Sequence, residues 1–429
     1  MDQKHQNMRV SEMADTLKGS EIIRLAGEIN DKIKAGKQIH NYTIGDFDPN
    51  LFPLPLMLKE EITKAYDQNE TNYPAANGII SLRKEISSLL KSHLGLDYHP
   101  EEILVAGGAR PLIYAAYQAL INPGEKVLFP VPSWNNNHYS HLSRANCIII
   151  ETKPEHDFMP SADELKPFIS EASMLAVCSP LNPTGTVFSK NGLLEICQLL
   201  IEENKRRGPS RKPLYLLFDQ IYWMLTFGDQ QHFDPVSLIP EIRPYTIYID
   251  GISKSFAATG VRVGWAFGPE DVISKMKSIL GHVGAWAPKA EQVATAAYLK
   301  NSEIVHKDLE VLKERLFKRL NTFYEGFTAL KQEGYPVECI APAGAIYLTV
   351  KFSLKGIHTS EGKEIKNSSD IASFLLDSAG IAIVPFGAFG ASADSEWFRL
   401  SVGTVKTSDI PGVLSSIKSS LNELNTAVK

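Results

Sequence analysis

The chain has few cysteines. Four occur in 429 residues, at Cys147, Cys178, Cys197 and Cys339, and no two form a C-x-x-C pair. Three lie in or beside apolar runs, where thiols are ordinarily buried and inert. A zinc site is therefore not expected, and a reducing compartment suits the chain. No apolar run approaches the ~18 residues of a membrane span. The segment from Met1 to Arg9 lacks the apolar stretch of a secretion signal, so a cytoplasmic location without membrane contact is expected. Basic charge is also short, with 44 Lys and Arg against 49 Asp and Glu, a net charge of −5. That balance argues against nucleic acid or an anionic membrane as the principal partner, and a bound phosphate must be held by local geometry. Eleven histidines are dispersed without metal or triad spacing, so no metal is expected. The glycine fingerprint G-x-G-x-x-G and the P-loop lysine are both missing, which counts against a nicotinamide dehydrogenase or a nucleotide-binding enzyme.

What is present is an α/β chain. At this length two domains are the expectation. Apolar runs of strand length at 103–107, 126–130, 147–152, 174–179, 214–219, 246–250 and 261–267 alternate with helical stretches such as Pro111–Leu120 and Gly192–Asn204. That alternation predicts a mostly parallel seven-stranded sheet sandwiched by helices, over residues 51–310. A long amphipathic helix over Ser302–Lys331 leaves it. Residues 335–429 then alternate strands (Ala345–Phe352, Ile381–Pro385, Trp397–Val402) with helices (369–379, 408–424), a smaller α+β unit. Residues 1–20 read as a polar arm, and Glu21–Lys37 as a helix ahead of a strand at His40.

The chemistry collects at strand ends, where ligands bind in open α/β sheets. The run Thr246-Ile-Tyr-Ile-Asp-Gly-Ile closes on Ser253-Lys254-Ser255, with Arg262 eight positions beyond Lys254. A lysine desolvated at such an edge loses its proton readily and can form a Schiff base with a carbonyl cofactor. Leu214–Phe218 closes on Asp219, with Tyr222 three residues later, and Met174–Ser179 runs into the turn Pro180-Leu-Asn182-Pro-Thr-Gly185. An amide, an acid with a phenol, and an amine with hydroxyls are the groups a pyridine aldehyde phosphate requires.

In these residues the chain resembles the class I aminotransferases, pyridoxal 5′-phosphate enzymes of fold type I related to aspartate aminotransferase. The resemblance runs from about Ser20 past Arg399, through the Asn-Pro-x-Gly turn at Asn182, the Asp219/Tyr222 pair, the Ser-Lys element at Lys254 with Arg262, and Phe398-Arg399-Leu-Ser. It implies that Lys254 carries the cofactor and that Asp219 holds its ring nitrogen protonated. It places Asn182 and Tyr222 on the phenolic oxygen, and Trp134 against the ring face. Arg262, Ser253 and the amides of Gly108 and Ala109 hold the phosphate. Arg399 and Gly45 meet the substrate's α-carboxylate, beside Trp134 and Asn182. Tyr73 reaches the phosphate of a neighbouring subunit, which implies a homodimer with shared sites. Residues 21–50 are expected to pack with 311–429 as the small domain.

The substrates implied are an L-amino acid, with aspartate or an aromatic or neutral amino acid as donor, and a 2-oxo acid, 2-oxoglutarate by expectation. Two departures bear on this. Gln220 follows Asp219 where many relatives carry Glu. Ala109 stands where an aspartate-specific branch has a lysine reading the substrate side chain; the adjacent Arg110 is expected to point elsewhere. The alternatives are another reaction on the same cofactor (β-elimination, decarboxylation or cyclopropane-forming elimination) and a non-enzymatic amino-acid-sensing domain. For Arg399, a structural partner in Asp394 or Glu396 competes with a substrate carboxylate.

Overall fold

A computed structural model of the protein describes residues 9–19 and 21–426. Of the polar arm, residues 9–19 contain one short helix, Glu12–Thr16, while residues 1–8 and 20 lie outside the described residues. After a two-residue strand, β1 (His40–Asn41), comes the frame of the molecule. It is a seven-stranded sheet built from β2 (Ile103–Ala106), β3 (Lys126–Val131), β4 (Asn146–Glu151), β5 (Ala172–Cys178), β6 (Tyr215–Asp219), β7 (Thr246–Gly251) and β8 (Gly264–Phe267). Their order across the sheet is β2-β8-β7-β6-β5-β3-β4, and β8 alone runs antiparallel to its neighbours. Every residue of β2, β7 and β8 is buried. Apart from Thr246 and Asp250 in β7, these segments therefore read as apolar runs: helices cover both faces, so no polar alternation survives.

The parallel register assembles the strand ends. Cys178 pairs with Asp219, and Asp219 with Ile249, so β5 and β6 end level with one another and β7 runs two residues farther, to Gly251, at the same edge. The antiparallel β8 returns beside β7 and pairs Gly264 with Gly251. A Cβ at Gly264 would sit 2.6 Å from the Gly108 carbonyl carbon and 2.8 Å from the Ala109 nitrogen. Any side chain there would push the β2 turn away from the sheet edge. The expected strand 261–267 is accordingly shorter than its apolar run: Arg262 has φ +62°, which a strand does not accommodate, and pairing starts at Gly264.

A second apolar core lies around a four-stranded antiparallel sheet of β9 (Val337–Cys339), β10 (Tyr347–Phe352), β12 (Val384–Pro385) and β13 (Trp397–Ser401), in the order β12-β13-β10-β9. The run expected as one strand over Ile381–Pro385 is split. Its first half, β11 (Ile381–Ala382), pairs with β1, and its second half joins β13. Tyr42, Phe47 and Phe52 pack into this core. The helix Ser302–Gln332 spans 31 residues, roughly 46 Å at 1.5 Å per residue. Its Leu309 touches both cores, while Leu316, Leu320, Phe323 and Phe327 are buried in the second. Among the described residues no helix is long and apolar enough to cross a membrane.

Candidate active site

A cavity of about 640 Å³ opens where the carboxyl edge of the large sheet meets the second core. Ten residues singled out in the sequence line it: Gly45, Ala109, Trp134, Asn182, Asp219, Tyr222, Ser253, Lys254, Arg262 and Arg399. They come from segments up to 354 positions apart in a 429-residue chain (45 to 399), so tertiary packing, not local sequence, brings them together.

Lys254 stands on a single helical turn, Ile252–Ser255, directly after β7, and its Nζ donates to the Gly45 carbonyl oxygen at 2.7 Å. Burial pulls its ammonium down to about 8; Asp46 works against that shift, and Arg399, Arg110 and Arg262 reinforce it. Asp219 ends β6 and accepts one bond, from the Ile221 N–H at 3.1 Å. Burial pushes its carboxyl up to about 6, opposed only by that N–H. No basic side chain pairs with Asp219 among the described residues, so the site holds an acid that lacks its cation.

The Tyr222 and Tyr347 hydroxyls lie 2.7 Å apart. Burial, as the leading cause, raises both phenols, so they remain protonated donors across the physiological range. Arg262 donates from Nη1 to the Thr259 carbonyl at 2.6 Å and from Nη2 to the Gly107 carbonyl at 2.9 Å. Its guanidinium packs on Gly108, the residue before helix Ala109–Leu120, at φ +98°; a Cβ there would run into the guanidinium. Gly108 is thus required twice, by backbone conformation and by contact. Gly108 borders this arrangement from beneath Arg262, while Ala109 itself faces the cavity.

Arg399 is 1% exposed and has no carboxylate partner among the described residues. Its Nη1 donates to Asn182 Oδ1 at 3.0 Å and its Nη2 to the Thr43 carbonyl at 2.6 Å, while Nε is buried without a partner. Tyr347 and Phe389 lie against the guanidinium, their ring centres 4.7 and 4.8 Å from it. The two acids that could have neutralised it are engaged elsewhere. Asp394 takes the Lys355 ammonium, and Glu396 takes the Lys355 backbone N–H.

Tyr73 is not in this cavity. It is 82% exposed and packs edge-on against Trp286 at 5.2 Å, in a separate open groove of about 540 Å³. The expectation that Arg110 points elsewhere is overturned. Arg110 lines the cavity, with its guanidinium 5.3 Å from the centre of the Trp134 ring. A long side chain in the first turn of a helix reaches back over the preceding loop, which a count of single positions does not anticipate. Tyr347, Thr259 and Asp46 are further lining residues that sequence reasoning missed. Asp46 follows Gly45 directly and was the one within reach, since its carboxylate accepts from Thr259 Oγ1 at 2.6 Å beside Lys254.

The same layout recurs in known proteins. The sequence model described as "Aminotransferase class I and II" matches residues 39–417. A bifunctional aspartate aminotransferase and glutamate/aspartate-prephenate aminotransferase of Petunia hybrida is 29% identical over 408 residues, covering 94% of this chain and 80% of its own. An aspartate aminotransferase of Rhizobium meliloti (strain 1021) is 28% identical over 391 residues, 90% of each chain. The crystal structure of the aspartate aminotransferase from Rhizobium meliloti superposes with a TM-score of 0.88 at 25% identity, covering 97% of this chain and 100% of that one. The chain belongs to the class I and II aminotransferase family. It is an aminotransferase, and its cofactor is pyridoxal 5′-phosphate. The cavity suits that cofactor on its own terms: an acid without a cation, an amine held near neutrality, and a guanidinium beside a helix N-terminus that a Cβ would obstruct.

Proposed function

We propose that the protein moves the amino group of an L-amino acid to a 2-oxo acid, with 2-oxoglutarate as acceptor, through the residues gathered in this cavity. The named activities of the aspartate aminotransferases it resembles support aspartate as one donor. When bound, pyridoxal phosphate supplies the electron sink that lets an amino group leave one carbon skeleton and join another. Lys254 would hold the cofactor through Nζ, and its free amine would carry the proton taken from the substrate Cα. Asp219 keeps a proton on the ring nitrogen; a cation there also restores the ionised carboxylate that burial disfavours. Tyr222 and Asn182 donate to the ring's phenolic oxygen, and Trp134 covers one face. Arg262, Ser253 and the N–H groups of Gly108 and Ala109 bind the phosphate.

The observation that carries the reading is Arg399. A buried guanidinium without an anion is costly, and a planar α-carboxylate would take its fork, with Gly45 alongside. Arg399→Lys keeps the charge and loses the fork, so it should weaken amino and oxo acids alike by ~2–3 kcal/mol. Pre-steady-state titration with two chemically unlike amino acids checks this. If only one is weakened, Arg399 reads a side chain and the carboxylate anchor lies elsewhere.

We also propose a homodimer in the cytoplasm, with residues 51–310 as the cofactor domain and residues 21–50 with 311–429 as the small domain. Tyr73 supports the dimer, since it is 82% exposed beside an open groove outside this cavity, which leaves its ring available to a second copy. The reading is tested on the purified protein. An amino acid alone should yield its oxo acid once per site, with turnover only after 2-oxoglutarate is added and the mass of two chains in sedimentation. Ammonia released continuously without an acceptor would mean elimination, and the mass of a single chain would remove the shared site.

A further inference from the structure

Two acids stand on the cavity wall, Asp46 and Asp219. The proposed function gives Asp219 to the ring nitrogen and leaves Asp46 without a role. Asp46 directly follows Gly45, whose carbonyl accepts from Lys254 Nζ at 2.7 Å, so the backbone itself keeps this carboxylate beside the amine. Its Oδ1 accepts the Phe47 N–H at 2.8 Å and the Thr259 hydroxyl at 2.6 Å, while its Oδ2 has no hydrogen-bond partner among the described residues.

Most of what surrounds Lys254 opposes an ammonium. Arg110 on the helix after β2, Arg262 ahead of β8 and Arg399 on β13 all bear on it as cations, and burial acts with them. The Phe47 and Tyr222 rings have their centres 5.9 Å from Nζ, and Tyr347 on β10 is a phenol that burial keeps protonated. Asp46 is the charge that works in the other direction. The competing explanation is a fastener, with Asp46 tying residues 45–47 to the loop of Thr259. That task needs Oδ1 alone, and an asparagine oxygen would accept both bonds equally well. It leaves the second oxygen and the charge unexplained.

We propose that Asp46 is the counter-charge of Lys254, a positioning residue that lets the buried amine hold the proton it takes from the substrate Cα. The proposal rests on the role given to Lys254 above, and its first test needs no amino acid. Asp46→Asn keeps the shape and both hydrogen bonds and removes the charge. An ammonium without its anion gives up its proton at lower pH. The midpoint for capture of added pyridoxal 5′-phosphate by the cofactor-free protein should therefore fall from about 8 by about one pH unit. At about pH 7 the variant should capture the cofactor about fivefold faster than the wild type, with equal rates above about pH 9. Asp46→Glu keeps the charge, and Thr259→Val removes the bond but not the charge; both should hold the wild-type midpoint. In the cofactor-loaded protein, Asp46→Asn should slow exchange of the aspartate Cα hydrogen with deuterated water by about threefold or more, because a less basic amine removes that proton more slowly.

An unmoved or raised midpoint in Asp46→Asn would overturn the proposal, as would a lowered midpoint with unchanged exchange. A shift reproduced by Thr259→Val would make Asp46 a fastener and overturn it as well. A wild type that captures the cofactor at Lys254 but exchanges the Cα hydrogen of no amino acid would instead defeat the proposed function, and the capture midpoints would then judge Asp46 alone.

Discussion

Lys254→Ala should lose at least about 10⁴-fold in turnover while keeping its fold, because under the proposed function one substitution removes both the covalent anchor and the group that moves the Cα proton. Little structure depends on this side chain. Its one bond is to the Gly45 carbonyl, and the turn that carries it is held by the buried Ile252, Ser253 and Ser255. Borohydride reduction of the wild type followed by peptide mass spectrometry should find the cofactor attached at Lys254; an adduct on any other lysine would sink the assignment. The lowered ammonium adds a pH signature. Only the free amine captures the cofactor, so the capture rate of the cofactor-free protein should climb about tenfold per pH unit below about 8 and level off above it. The sign for stability follows from the same shift. Between about 8 and the ordinary lysine value the unfolded chain binds the extra proton, so the cofactor-free fold gains stability as pH rises through that window.

Asp219→Asn should cost ~3–4 kcal/mol in the barrier although the side chains are nearly isosteric. The amide oxygen can still accept the Ile221 N–H, so the loop after β6 should keep its shape. What disappears is the acid proposed above to hold a proton on the ring nitrogen. Single-turnover kinetics with a good donor would read the loss. Near-wild-type rates with retained cofactor would show that Asp219 serves the fold, not the chemistry.

The strand ends are legible in the sequence because a parallel strand buried on both faces is an unbroken apolar run, and such runs stop where a polar group begins. Asp219 after Leu214–Phe218 is marked in that way, and Ser253-Lys254 closes Thr246–Ile252, a run interrupted by Asp250. Seven such runs are enough for the α/β class and the mostly parallel sheet. Trp134 and Asn182 follow the same logic, each a few residues beyond a strand. Other features are illegible for equally physical reasons. The split of Ile381–Pro385 between two sheets depends on which partners, β1 and β13, lie on either side, and local propensity carries no record of partners. Arg262 sits in an apolar, glycine-flanked run that reads as strand, yet its positive φ turns it back onto Gly108.

By itself, then, the sequence determined the repeating β/α order, the chemical identity of the groups at each strand end and, through their combination, the cofactor. These are properties of short segments, set by apolar periodicity and by where it breaks. Only the tertiary structure decided which groups meet and which stay unpaired. It brought Arg399 from the second core to Asn182 and away from Asp394 and Glu396. It set Tyr347 against Tyr222 and turned Arg110 into the cavity over Trp134. Each of these contacts joins residues far apart along the chain, or depends on how a long side chain swings from its helix. The burial of two cores against one edge fixes such geometry, and no local pattern encodes it.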